Sequence, residues 1–150
     1  MPTYFLRCVP PSFTGRAEEI KTIVNLLTEG ERVVNIIGAG GQGKTALVLK
    51  AASILQHNWA APELFPHGIV HLNFYEYPDI SRALTPFVNV FTAQQGNKID
   101  LLEGILAERS FLFVMDGTEN ISDVDDLRQL LDKMKKSRAC LLYTSDAADE

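Results

Sequence analysis

Cysteine is scarce: Cys8 and Cys140 are the two in a chain of 150 residues. Two thiols build no disulfide framework and fit a reducing compartment. No apolar run approaches the roughly 18 residues that span a bilayer. The opening, MPTYFLRCVPP, has no basic stretch leading into an apolar one, so no signal peptide is expected. Basic charge is not in surplus either. Lys and Arg number 14 against 19 Asp and Glu, a formal charge of −5, which argues against nucleic-acid binding driven by net charge. With 46% hydrophobic and 22% charged residues, the composition excludes a disordered or fibrous chain. The length suits one domain. What remains is a globular domain expected in the cytoplasm, without a membrane partner.

The tail reads differently from the rest. Residues 140–150, CLLYTSDAADE, resemble a translated sequencing-library adapter in all eleven positions. The native sequence is therefore expected to run over 1–139, with Cys140 to Glu150 a non-native tail. Setting aside Asp146, Asp149 and Glu150 moves the formal charge from −5 to −2 and leaves Cys8 as the remaining thiol.

Apolar periodicity orders the body of the chain. Ile20, Ile23, Val24 and Leu27 share one face of a helix expected over 18–28, with Gly30 as its stop. RVVNII over 32–37 reads as a buried strand, and 44–56 as a helix apolar nearly all round. A second strand is expected over 68–74 and a third over 110–115, each a continuous apolar run. Between them, 79–84 suggests a helical turn. Thr85 then stands as an N-cap before Pro86, with Gly96 as a stop, and a short helix follows over 100–108. Over 122–136, Val124, Leu127, Leu131 and Met134 share a face, and Ser122-x-x-Asp125 resembles a capping box. Arg138 onward can begin a fourth strand. Strands alternating with helices imply an α/β fold with a parallel sheet.

The chemistry is carried by Gly38-Ala-Gly-Gly-Gln-Gly43-Lys44-Thr45, which fits G-x-x-x-x-G-K-[ST] between an expected strand and an expected helix. Glycines let successive backbone N–H groups converge on phosphate oxygens. The helix that starts there aims its free N–H groups and positive dipole end at the same anion. Lys44 adds a cation for the β- and γ-phosphates, and the Thr45 hydroxyl a ligand for Mg²⁺. The candidate nucleotide-binding set is Gly38, Gly40, Gly41, Gln42, Gly43, Lys44, Thr45 and Ala46. The same glycines also match the dinucleotide pattern Gly38-x-Gly40-x-x-Gly43. That reading wants an acid about 20 residues on, at the end of the next strand, whereas Glu76 and Asp79 lie beyond Phe74 in a Pro-containing turn. It also leaves Lys44 and Thr45 without a role.

A rigid carboxylate is the expected complement, and Phe111-Leu-Phe-Val-Met-Asp116 supplies it at the end of an apolar strand. Asp116 is thus the candidate second Mg²⁺ ligand and catalytic acid-bearing position. The next residue, Gly117, stands where hydrolysing relatives carry a second acid, and Glu119 is the nearest alternative base.

Together with Phe13-Thr-Gly-Arg16-Ala-Glu-Glu-Ile20 and Leu112-Phe-Val-Met-Asp-Gly117, the phosphate loop resembles the NB-ARC/STAND class of signal-transducing P-loop NTPases. The first segment is similar to its (F/V)-x-G-R-x-x-E-(L/I) lead-in, the second to its LLVLDG motif. The resemblance spans about 10–138. It implies a three-layer P-loop sandwich, truncated after the Asp116 strand and the following helix. It implies ATP or ADP with Mg²⁺, and Arg16 bordering the adenine or phosphates. It implies a regulatory switch with slow hydrolysis, self-association and a protein effector in the full-length protein. In that class the next strand inserts between the Gly38 and Asp116 strands and is followed by a sensor residue. Here the adapter-like residues occupy that place, so no sensor is assigned. Two alternatives stay open: a P-loop enzyme of another class such as a small-molecule kinase, with the Gly38 and Asp116 strands adjacent, and a non-hydrolysing nucleotide-dependent scaffold.

His67 and His71 can share a face of the second strand, but neither has a carboxylate or cysteine at ligand spacing, so no metal site is expected there. Asp123, Asp125 and Asp126 suit a helix start; Lys133, Lys135, Lys136 and Arg138 suit a solvated helix end. Trp59, Phe65, Phe74, Phe87 and Phe91 are expected packing residues.

Overall fold

The computed structural model describes residues 17–38, 43–57 and 67–144. Its elements are α1 (Ala17–Thr28), β1 (Val33–Gly38), α2 (Gly43–His57), β2 (Ile69–Asn73), α3 (Ile80–Phe91), α4 (Lys98–Leu106), β3 (Leu112–Asp116), a 3-10 turn (Thr118–Asn120), α5 (Val124–Lys133) and β4 (Arg138–Thr144). All strand pairs are parallel, in the order β1-β4-β3-β2.

Strands buried on both faces need apolar residues at every position, and alternation then assigns each to one of two cores. Leu112 and Val114 of β3, with Cys140 and Leu142 of β4, meet α1 and α2 through Ile23, Leu27, Leu47, Val48, Ala51 and Leu55. Phe113 and Met115, with Ala139 and Leu141, meet α3, α4 and α5 through Leu84, Phe87, Leu102, Ile105 and Leu130. The result is the expected three-layer α/β sandwich. On the second face Phe87 sits edge-on to Phe111 and Phe113, with centroids 5.1 and 5.7 Å apart. Phe74, Phe87 and Phe91 are packing residues as expected; Trp59 and Phe65 lie outside the described residues.

α1 ends as its sequence predicts. Gly30 takes φ +103°, and the N–H groups of Gly30 and Glu31 return to the carbonyls of Leu27 and Leu26, the glycine-dependent closure of a helix.

β4 inserts between β1 and β3. Its first residues, Arg138 and Ala139, precede the adapter-like segment and already bridge both neighbours: Ala139 registers with Val33 and with Phe113. Cys140 to Thr144 continue the strand, so the described chain runs past the helix after Asp116 into β4.

Three expected helix starts move; α4 begins at Lys98, capped by Asn97, rather than at Asp100. α3 is one helix from Ile80, capped by Asp79, whose side chain accepts from Ser81 N at 2.9 Å. Thr85 is therefore interior: its hydroxyl donates to Ser81 O at 2.8 Å. Pro86 sits inside the helix, because Ile80, Leu84, Phe87 and Val88 bury one continuous face. Helix α3 stops at Thr92, before Gly96. In α5 the cap is Asp123 rather than Ser122, accepting from Asp125 N at 2.9 Å. Ser122 instead donates its N–H to Pro78 O. Val124, expected on the apolar face, is 64% exposed, while Leu130 and Met134 are buried.

Candidate functional site

β1 delivers the chain to Gly38, and α2 begins at Gly43. Gly40, Gly41, Gln42 and Arg16 lie outside the described residues. Lys44, Thr45 and Ala46 form the first turn of α2. Lys44 and Thr45 are 6% and 9% exposed, Ala46 is half-buried. A polar pair is held out of water at a helix start, where free N–H groups concentrate positive potential.

β3 ends at Asp116, whose side chain shares the face of Leu112 and Val114 and so points toward α2. The Thr45 hydroxyl donates to Asp116 Oδ2 at 2.7 Å. These residues are 71 apart in sequence and are joined because α2 packs across β3 and β4. The Asp116 main chain is fixed as well: its carbonyl accepts from Phe74 N at 2.9 Å.

A hydroxyl and a carboxylate are hard oxygen donors of the kind Mg²⁺ accepts, typically with one or two protein ligands and the rest from phosphate and water. Thr45 and Asp116 therefore fit as the protein's share of such a sphere. Among the described residues no group of three or more His, Cys, Asp or Glu gathers as a metal cage.

Beyond Asp116, the chain turns through Gly117 at φ +78°. Gly117 N and the Thr118 hydroxyl both donate to Leu142 O, at 3.2 and 3.0 Å. A Cβ on Gly117 would come 2.7 Å from the Tyr75 ring. The Tyr75 hydroxyl reaches past it to donate to Glu119 Oε2 at 3.0 Å. Glu119 is exposed, yet tethered. The missing second acid at 117 is thus a place closed by an aromatic ring, and the tyrosine that closes it holds the nearest alternative carboxylate.

The two histidines part company. His67 packs beside Phe111 on the α3 side, centroids 5.9 Å apart, and its Nδ1 accepts from Ser110 N. His71 shares the α2-side face of β2 with Asn73. Its Nε2 lies 3.7 Å from Asp116 Oδ2. It is buried and has no hydrogen-bond partner among the described residues. Neither this placement nor the Tyr75 clasp was read from the sequence. The available signal was one polar residue, His71, inside the otherwise apolar run IVHL.

The remaining charged candidates are structural. Lys133 pairs with Glu103 at 3.1 Å and Lys136 with Glu108 at 3.9 Å. Burial lowers the pKa of Arg138. No described helix is long and apolar enough to cross a membrane.

No protein-family model matches the chain. It is 27% identical over 124 residues to an uncharacterized WD repeat-containing protein of Nostoc sp. (strain PCC 7120), a match covering 76% of this chain and 10% of that protein. The chain thus spans about a tenth of that relative's length. Among solved structures it is similar to the Aeropyrum pernix ORC1 protein in complex with DNA, at TM-score 0.68 and 16% identity, covering 95% of this chain and 42% of that one. It is also similar to C. elegans PCH-2, at TM-score 0.52 and 13% identity, covering 87% and 37%. At these identities the likeness concerns architecture, and together with the parallel four-stranded sheet it establishes an α/β domain of the P-loop NTPase fold.

Proposed function

We propose that this chain is the ATP/ADP-binding part of a STAND-type regulatory switch with slow Mg²⁺-dependent hydrolysis. The observation that carries the reading is the 2.7 Å contact between Thr45 and Asp116, which joins the two halves of a nucleotide–metal site across the sheet. Lys44 and the loop amides, with Gly38, Gly40, Gly41, Gln42, Gly43 and Ala46, take the phosphates. Thr45 and Asp116 take the metal, and Arg16 borders the nucleotide. Thr45 can offer a lone pair to the cation while its O–H goes on donating to Asp116, so the contact persists on loading.

Gly117 is left-handed and lies under Tyr75, so a second acid there would have to displace the ring, which supports slow turnover. A slow-turnover site suits a switch, in which ADP and Mg²⁺·ATP hold different states through unequal affinity. Self-association and an effector belong to the larger protein. A span of one tenth of a WD repeat-containing relative favours a module within a long regulator. Adjacent Gly38 and Asp116 strands, the arrangement a small-molecule kinase would require, do not occur: Arg138 and Ala139 stand between β1 and β3. We also hold residues 140–150 to be adapter-derived; other codons after Ala139 in the gene would support this, and these same codons in the genome would refute it.

Calorimetric titration tests the site. Lys44→Ala should abolish ATP and ADP binding. Asp116→Asn should weaken Mg²⁺-dependent ATP binding and leave metal-free ADP binding largely intact. Unchanged affinity in Lys44→Ala, or equal loss in both arms for Asp116→Asn, overturns the assignment. Single-turnover ATP hydrolysis by the full-length protein separates the switch from a non-hydrolysing scaffold.

A further inference from the structure

His71 occupies a core position that an apolar residue would fill more cheaply. It is 8% exposed, on the central part of β2, facing α2. A buried ring nitrogen without a hydrogen bond is destabilising, and Nε2 has no partner among the described residues. Asp116 Oδ2 lies 3.7 Å away, too far for a hydrogen bond. That oxygen already accepts from Thr45 at 2.7 Å. A carboxylate offers about four lone-pair sites, so a further donor fits beside Thr45. Two acceptors facing each other in a buried site would repel, so the proton belongs on Nε2.

We infer that His71 is a positioning residue for Asp116: its Nε2–H closes onto the Asp116 carboxylate when the cation draws on it, fixing the carboxylate between α2 and β2. The inference rests on the proposed metal role of Asp116. The arrangement explains why a polar side chain sits within an apolar strand. With Thr45 on its α2 side and His71 on its β2 side, the loaded carboxylate is held from both sides rather than from one. Groups that orient a metal-bound carboxylate in this way typically govern about 10–100-fold in metal affinity.

The test compares ATP affinity with and without Mg²⁺ by calorimetry in wild type, His71→Leu and His71→Gln, with metal-free ADP affinity as the control. Leucine keeps bulk and removes the donor; glutamine keeps an N–H donor. The Mg²⁺-dependent gain should fall about tenfold or more in His71→Leu, recover in large part in His71→Gln, and metal-free ADP affinity should hold in both. A full Mg²⁺-dependent gain in His71→Leu, or equal loss in both variants, overturns the role of His71 while leaving the nucleotide site standing. Absence of any Mg²⁺-dependent gain in wild type overturns both. A readout on the unmutated protein guards against variants that fail to fold: ¹⁵N-resolved imidazole spectra with Mg²⁺·ATP should place the His71 ring proton on Nε2, shielded from exchange. A proton on Nδ1 alone would refute the inference.

Discussion

At Gly117 two constraints coincide. The backbone is left-handed at φ +78°, which costs an L-residue about 1–2 kcal/mol, and an added Cβ would lie 2.7 Å from the Tyr75 ring. Gly117→Ala should therefore destabilise the domain by on the order of 2–3 kcal/mol in urea melts. Adding Tyr75→Ala should recover the steric part and leave the backbone part. Equal losses in the single and double variants would mean that the ring yields freely. Gly117, Lys44, Thr45 and Asp116 were legible in the sequence because each belongs to a local pattern. His71 and Tyr75 were not, because their partners stand at Asp116 and Gly117, some 45 and 42 residues away, and alignment of β2 with β3 is a property of the sheet.

Element by element, the apolar runs told most. β2 and β3 were legible to within two residues, since burial on both faces writes a continuous signature; β1 was placed to within a residue but lies at the sheet edge with Asn35 and Ile37 exposed, and of β4 only the start at Arg138 was read. α1, with its glycine closure, was equally plain. Helix starts were harder. Pro78-Asp79 reads as a breaker and Thr85-Pro86 as a beginning, yet the Asp79 cap and the buried stripe of α3 outweigh the hydrogen bond that Pro86 removes. At α5 the same competition put the cap on Asp123, and with it a concentration of acids. The Asp126 carboxyl is pushed above its usual value by burial first, then by Asp123, Asp79 and Asp125. A raised folded-state pKa stabilises the fold below the ordinary value of 3.8 and loses that contribution as pH rises through the folded value. Asp126→Asn should consequently melt at a higher temperature than wild type at pH 7, with the gap narrowing on acidification toward the ordinary carboxylate range. A gap independent of pH would assign the effect to something other than charge.

The whole sheet depends on its central strand. β4 is the one element that pairs with both β1 and β3, so it sets the span across which Thr45 reaches Asp116. Ending the chain at Ala139 removes Cys140, Leu141 and Leu142 from the two cores and leaves β1 without most of its ladder. Residues 1–139 alone should melt with less cooperativity by circular dichroism than 1–150; equal melts would mean that β4 adds nothing to the sheet. In the intact chain Cys140 reports on the same strand: burial pushes its thiol up to about 12, so it should resist alkylation at pH 8 and react on addition of denaturant. Rapid labelling of the native protein at Cys140 would place β4 outside the sheet.

The contact of Tyr75 with Gly117 ties two distant positions into one unit of inheritance. A carboxylate at 117 is more easily accommodated once the aromatic ring at 75 is gone, because with the ring in place it must push that ring aside. Related chains should accordingly divide into those with bulk at one position and those with bulk at the other, and the rate at which they turn over nucleotide should divide along the same line.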